Sequence, residues 1–434
     1  MAEHSLLGEL DSFLGYHESE LIEFRRDLHI HAEVGYSEHR TTRQIALRLE
    51  AAGLQPRILP KGTGLVADIQ GDAKDDATIA LRADIDALPI TDEKQVSYRS
   101  QNPGACHACG HDAHTAILLG TGMFLAKAAR AGVLPGNVRL IFQPAEEVPG
   151  GALDVIAAGG LASVERIFAL HCDPNLDLGK IGTRIGSITA AIDKIKIRLT
   201  GPGGHTARPH LTADLVFALG KMITELPAAL SRRMDPRSGM SLVWGRVSAG
   251  SASNAIPDAG EVEGTVRCLH NDAWLGAPDL LKELVELTAS AYCAVPDFCY
   301  ERGNPPTVND GACTNLVAAA ADRMLGPGAV TQAAQSLGGE DFAWYLESVP
   351  GSLFRLGTRH PGSPQEFDIH QPCFDIDERA IAVGVKMMAA TALAAIGDLG
   401  DDGCGDSDPA AAAGAVGAVG AAADGAALTG PLLG

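Results

Sequence analysis

Apolar residues recur at helical spacing between residues 5 and 31 (Leu6, Leu10, Phe13, Leu14, Leu21, Ile22, Phe24, Leu28), which predicts an opening amphipathic helix. A second helix is expected from about Ser37 to Gly53, where glycine suits the C-terminal cap. Three strand-like runs follow, at 55–59, 64–70 and 78–84, the last continuing into Arg82-Ala83-Asp84-Ile85-Asp86-Ala87-Leu88-Pro89. A helix is expected over 116–129, a buried strand at 138–142, a short helix at 152–158 and another apolar strand at 166–170, ending at His171. The pattern changes near residue 190. Residues 194–200 alternate like a half-exposed strand, and then helix 212–226, strands 241–247 and 260–268, helix 273–292 and strand 297–301 complete a β-α-β-β-α-β order. The earlier pattern resumes with helix 314–325, a strand at 352–356 and a long helix over 377–396.

Strands alternating with helices predict an α/β architecture: a catalytic domain with a mixed, largely parallel sheet flanked by helices. The β-α-β-β-α-β segment predicts an inserted ferredoxin-like α+β domain. The expected boundaries are 1–189 and 303–400 for the first domain, 190–302 for the insertion, and 401–434 for a low-complexity Ala/Gly tail that cannot bury a core.

Composition narrows the function classes. A hydrophobic content of 46% and a mean hydropathy of +0.07 are those of a soluble globular chain. A net charge of -20 argues against nucleic acid and anionic membranes as partners. No signal-peptide pattern opens the chain, and no run of the roughly 18 apolar residues needed for a membrane span is expected. Nine cysteines, an odd number, do not form a disulfide framework, so a reduced, cytoplasmic protein is expected.

The candidate chemistry centres on Cys106-His107-Ala108-Cys109-Gly110-His111-Asp112-Ala113-His114. On an extended chain, Cys109 and His111 can face one cavity, a metal-ligand spacing that needs further donors. In parallel sheets ligands bind beyond the carboxyl ends of the strands. Asp84, Asp86, Glu146, Glu147 and His171 all fall at such ends, and His370 lies in a loop before the last helix. Cys109, His111, Glu147, His171 and His370 make five donors, enough for two divalent ions sharing a ligand. Adjacent glutamates on an extended chain point apart, so one can bind metal while Glu146 serves a water as general base.

Other polar residues have plainer readings. Asp112 and His114 are expected to cap and pack the helix behind the loop, and His29 and His31 to cap a helix end. Asp86 is either a support for a ligand imidazole or a strand-end cap. Cys106 reads as an unengaged thiol and Arg82 as structural.

The ordered set of motifs resembles the peptidase M20 family of metal-dependent amidohydrolases, in the branch of hippurate hydrolases, N-acyl-amino-acid amidohydrolases and auxin-conjugate hydrolases. The resemblance runs through Leu28-His29 with Glu33, Arg82 to Pro89, Cys109 to His114, Phe142 to Glu147, and His171 with Pro174. It continues through Gly203-Gly204-His205-Thr206-Ala207, Asn254-Ala255-Ile256-Pro257, Gly264-Thr265-Val266-Arg267, Gly338 to Phe342, and His370-Gln371-Pro372. Three positions depart from the family pattern: Ala32 in place of proline, Val34 in place of leucine, and Cys106 in place of methionine. None removes a ligand or the base.

The resemblance implies that the inserted domain is a lid that also dimerises, giving a homodimer or higher homo-oligomer. It implies that Cys109, His111, Glu147, His171 and His370 bind two divalent ions, with Cys109 where other branches have a bridging aspartate. It implies Glu146 as general base, His205 as a donor to the oxyanion of a neighbouring active site, and Asn254 and Arg267 as holders of the substrate carboxylate. The implied ions are zinc or manganese, with cobalt and nickel as alternatives. The implied reaction is hydrolysis of a small N-acyl amino acid or related conjugate by a metal-activated water. A dipeptidase or carboxypeptidase on the same scaffold, or a non-catalytic metal binder, is the competing expectation.

Overall fold

The computed structural model describes residues 2–72, 77–362 and 367–402. Met1–Gly397 form one compact unit, and every candidate site residue lies within it. Of the expected tail, residues 403–434 lie outside the described residues.

Helices α1 (Ala2–Ile30) and α2 (His39–Ala51) lead into strands β1 (Arg57–Ile58), β2 (Leu65–Ile69) and β3 (Thr78–Asp84). Helix α3 (His111–Arg130), strand β4 (Asn137–Gln143), helix α4 (Gly151–Ala157) and strands β5 (Val164–Asp177), β6 (Ile181–Thr183) and β7 (Gly186–Thr189) follow. The next segment holds β8 (Ala191–Thr200), β9 (Gly204–His205), α5 (Leu215–Arg233), β10 (Ser241–Ala249), β11 (Ala255–Ile256), β12 (Ala259–Cys268), α6 (Asn271–Ser290) and β13 (Val295–Asn304). The chain closes with β14 (Thr307–Asn309), α7 (Gly311–Leu325), β15 (Val330–Gln332), α8 (Ala343–Leu346), β16 (Gly351–Arg359) and α9 (Ala380–Asp402).

The main sheet has the order β1-β2-β4-β3-β5-β16-β6-β15. Its central strands β4, β3, β5 and β16 are mutually parallel, while β2 and β6 run antiparallel to their neighbours β4 and β16. All seven residues of β3 are buried, as expected for a strand covered on both faces. Helix α3 is buried nearly all round because α1 and α9 pack over it. At Gly120 an added Cβ would come within 2.6 Å of Leu21 and 2.9 Å of Val385, so glycine there lets the three helices close up.

Several elements differ from expectation for identifiable reasons. Helix α3 begins at His111, five residues early, so the second ligand of the Cys/His loop sits in the first helical turn. Strand β5 continues past His171 to Asp177 because β16 still pairs with it after β3 has ended. Helix α5 runs through Pro227 to Arg233 instead of stopping at Leu226. Proline cannot bond the carbonyl four residues back, at Ile223, and Trp244 Nε1 donates to that oxygen at 3.1 Å instead. Ala380–Leu399 is, contrary to expectation, long and apolar enough for a membrane span, but 72% of it is buried inside the protein, as in a core helix.

A second sheet, β10-β12-β8-β13, is antiparallel throughout and carries α5 and α6 on one face. In β8, Ile195, Ile197 and Leu199 point into the core beneath those helices, while Lys194, Lys196 and Arg198 face out. The eight cysteines among the described residues are all free.

Candidate metal centre and active site

The glutamate pair follows β4 on a turn that the rest of the fold holds in place. Ala145 adopts φ 56°, a left-handed conformation unfavourable for a residue with a Cβ. Three successive amides of this turn donate to two buried carboxylates. Ala145 N–H donates to Glu38 Oε1 at 2.8 Å, and Glu146 N–H and Glu147 N–H donate to the two oxygens of Asp86, each at 3.1 Å. Such charge-assisted bonds are stronger than neutral ones. They fix the direction in which each glutamate side chain leaves the backbone.

Asp86 also orients a candidate ligand. His111 Nδ1 donates to the Asp86 main-chain oxygen at 3.0 Å and lies 3.3 Å from its carboxylate, which turns Nε2 toward Glu147. That Nε2 is buried, has no hydrogen-bond partner, and lies 3.9 Å from Glu147 Oε1. Asp86 thus plays both parts expected of it as alternatives, holding the His111 imidazole and capping the amides that follow β4.

Cys109 approaches from a loop that is not extended. Gly110 takes φ 89° and starts α3, and an added Cβ there would meet Cys172 Sγ at 3.0 Å. His171 Nδ1 donates to the Cys172 carbonyl at 2.8 Å, which turns Nε2 toward Cys109 Sγ at 3.4 Å. His370, with φ 65°, is held by its own amide donating to Ala108 O at 2.7 Å. Its Nε2 stands 3.3 Å from Glu147 Oε1, out of line for a hydrogen bond.

These five residues form two triads that share the thiol. Cys109, His111 and His171 bring one donor atom each within 4.8 Å of one another, and so do Cys109, Glu147 and His370. A thiol, two imidazoles whose Nδ1 is spent on a main-chain oxygen, and a buried carboxylate oxygen without a partner are a donor set that fits divalent metal ions. The unpaired Nε2 of His111 and Oε1 of Glu147 are what such ions would satisfy.

The electrostatics separate the two glutamates. Burial, together with the charges of Glu340, Glu147 and Asp341, pushes Glu146 well above the usual carboxyl range. Burial also works to raise Glu147, but the neighbouring His370 and His111 outweigh it and hold that carboxyl low. Burial, with Arg355 adding to it, keeps His171 neutral. Burial alone would keep Cys109 a thiol, so its use as a ligand requires a cation to displace the proton.

The residues around the loop are more engaged than the sequence suggested. Asp112 accepts its neighbour's amide at Ala113, but its other oxygen takes Arg25 Nε at 2.7 Å and His29 Nδ1 at 2.6 Å. His29 is no helix cap. It is a buried bridge between Asp112 and Asp92, and it is cationic because both ring nitrogens donate to carboxylates. His31 does close the first helix, with Nδ1 2.9 Å from Asp27 O. Cys106 is not unengaged either, since Lys94 Nζ lies 3.4 Å from its sulfur. Arg82 is structural, buried against Asp84, Glu340, Asp341 and Gln143.

His205 and Asn254 come together away from these donors. β9 pairs with β11 through His205 and Ala255, and Thr206 N–H donates to Asn254 O at 3.3 Å. Both side chains lie on an exposed ribbon. Arg267, on β12, donates to the Leu337 carbonyl in the loop before Gly338 to Phe342. Among the described residues, no hydrogen bond or ion pair joins these three to the five ligands or to Glu146. Sequence reasoning missed Glu38, which reads as a helix-start residue, because only the fold brings it beneath Ala145.

Residues 80–394 match the sequence pattern of Peptidase family M20/M25/M40. A Bacillus subtilis N-acetylcysteine deacetylase is 39% identical over 377 residues, covering 87% of this chain and 97% of that protein. A Rhodococcus jostii protein named glutamate–cysteine ligase 2-3 is 45% identical over 374 residues, but the chain spans only 46% of its length. A Bacillus subtilis crystal structure described as a dinuclear metal binding peptidase from the M20 family superposes with a TM-score of 0.77 at 36% identity, covering 89% of this chain and 99% of that one.

Proposed function

The chain belongs to peptidase family M20, a family of metal-dependent amidohydrolases and peptidases, and from that membership we propose that it hydrolyses the amide bond of N-acyl amino acids. The observation that carries the reading is the placement of Glu146, which brings a carboxylate oxygen within 4.8 Å of donor atoms of His111 and Glu147 beside five convergent candidate donors. Cys109, His111 and His171 would hold one divalent ion, and Cys109, Glu147 and His370 a second. Zinc or manganese suits this mixed sulfur, nitrogen and oxygen set. When bound, such ions act as Lewis acids, polarising the amide carbonyl and easing ionisation of the attacking water.

The protein's own residues supply the rest. Glu146 takes the proton from the water as it adds to the carbonyl carbon, and then gives it to the departing nitrogen as the C–N bond breaks. A carboxyl pushed upward by its neighbours is suited to both directions of transfer. We assign the β8–β13 unit as a lid that pairs two copies, with His205 donating to the oxyanion of the neighbouring site and Asn254 and Arg267 gripping the substrate carboxylate. Arg267 offers the planar fork that such a group prefers. A donor at the oxyanion is worth roughly 2.7–4 kcal/mol.

Two relatives point to the amino acid. The deacetylase covered almost end to end is named for N-acetylcysteine, and the Rhodococcus protein, matched over less than half its length, is named for ligating glutamate to cysteine. N-acylcysteine is therefore the first substrate to test. A hydrolysis screen should set N-acetylcysteine against other N-acetyl, N-benzoyl, N-lauroyl and indole-acetyl amino acids and against dipeptides. Turnover of N-acyl amino acids is expected; turnover of dipeptides alone would replace this reading with a dipeptidase.

A further inference from the structure

We infer that His114 is a positioning residue that seats the ligand His171, acting through the peptide of Cys172. The Asp84 carboxylate accepts from His114 Nδ1 at 2.6 Å, and the opposite ring nitrogen, Nε2, accepts the Cys172 main-chain N–H at 2.9 Å. The Cys172 carbonyl in turn accepts from His171 Nδ1 at 2.8 Å. Both polar groups of residue 172 are thus spent on aiming one imidazole. Asp84 can only accept when ionised, so it places the His114 proton on Nδ1 and leaves Nε2 as an acceptor.

The strut is anchored at its far end. Asp84 also accepts from Arg82 Nη1 at 2.6 Å, and Arg82 is gripped by Glu340 and Asp341. Asp84, His114 and Arg82 are all buried to within 1% of complete enclosure, so none of these bonds is exchanged with solvent. His111, Asp84 and His114 also bring donor atoms within 4.8 Å of one another, a spacing that suggests a metal triad. The hydrogen bonds decide otherwise, because both His114 nitrogens are already committed. His114 therefore acts on the ion held by Cys109, His111 and His171, and not on the one held by Cys109, Glu147 and His370. Removing it lets the strand peptide at 172 rotate and His171 lose its aim. Losing an outer partner of this kind lowers metal affinity by roughly 10–100-fold.

The inference rests on the metal-binding reading above, and the test separates the two. Wild-type protein, His114→Ala and His114→Gln are titrated with zinc after chelation, and bound metal is counted. Wild type is expected to hold two ions per chain; if it holds none, the functional reading itself fails. His114→Ala is expected to keep one ion at wild-type affinity and bind the other 10–100-fold more weakly. His114→Gln, whose amide can donate to Asp84 and accept from Cys172, is expected to recover most of the second ion. If folded His114→Ala binds both ions as tightly as wild type, this inference alone is overturned. Isotope-labelled histidine in the wild-type protein gives a decision even where the alanine variant does not fold: a His114 proton on Nδ1 supports the strut, and a proton on Nε2 overturns it.

Discussion

The Asp86 carboxylate accepts the Glu147 main-chain amide at 3.1 Å, so the residue that aims His111 also sets the backbone of the candidate ligand facing it. Two ligands from different parts of the chain are thereby referred to one anchor. Asp86→Ala should weaken metal binding by roughly 10–100-fold, the range for lost outer partners of metal ligands. Titration calorimetry with zinc on the chelated protein measures it, and unchanged affinity would refute the anchoring role.

Glu146 has a different signature. Glu146→Gln keeps the shape and removes the proton acceptor, so kcat should fall by roughly a hundred- to ten-thousandfold. Metal content, read by elemental analysis, should stay at the wild-type value. Loss of metal together with activity would make Glu146 a ligand and not the base.

Glu38 holds the strained Ala145, and burial pushes its carboxyl up to about 7. Glu38→Ala leaves a buried amide unpaired and should cost about 1–3 kcal/mol of stability. Glu38→Gln keeps the acceptor and removes the titration. A raised carboxyl makes the folded state the stronger proton binder, so wild type loses stability as pH climbs from the ordinary carboxyl range to about 7. Across that window the glutamine variant should gain on wild type in denaturant unfolding, and parallel curves would contradict the shift.

His29 titrates in the opposite part of the scale. Burial opposes its charge, but Asp112 and Asp92 prevail and raise it to about 10. A raised histidine contributes stability that is complete below its unfolded value, near 6.5, and is lost as pH rises through about 10. The stability gap between wild type and His29→Gln should therefore narrow steadily from pH 6.5 to 10. A constant gap would mean the ring is not cationic in the folded protein.

The exposed position of His205 bears on assembly. Mixing inactive His205→Ala with inactive Glu146→Gln should restore part of the activity if His205 serves a neighbouring copy. Subunit exchange shown by a size or label assay, with no recovery, would place its action elsewhere.

Much of the candidate site could be read along the chain because its residues sit at or near the ends of strands whose apolar runs are themselves legible. Asp84 closes β3, the glutamate pair follows β4, and His171 lies on β5 beyond the last residue paired with β3. The five candidate donors picked out along the chain converge in the structure as two triads sharing Cys109. Helix bounds were less legible where tertiary bonds override local preference, as at Pro227, whose freed carbonyl partner at Ile223 is taken by Trp244 from another strand.

The sequence by itself determined the inventory: which residues can bind metal, which glutamate is spare, and which family's order they follow. It could do so because residue chemistry and strand periodicity are local properties of the chain. Only the tertiary structure decided the supports. Glu38 and Ala145 are 107 positions apart, and Asp86 and Glu147 are 61. His114 reaches Cys172 across 58 and His29 reaches Asp112 across 83. A hydrogen bond requires two atoms near 3 Å apart in a given direction. No pattern along the chain encodes that distance for residues so widely separated, and packing of α2 and α3 against the sheet and of α1 on α3 creates it.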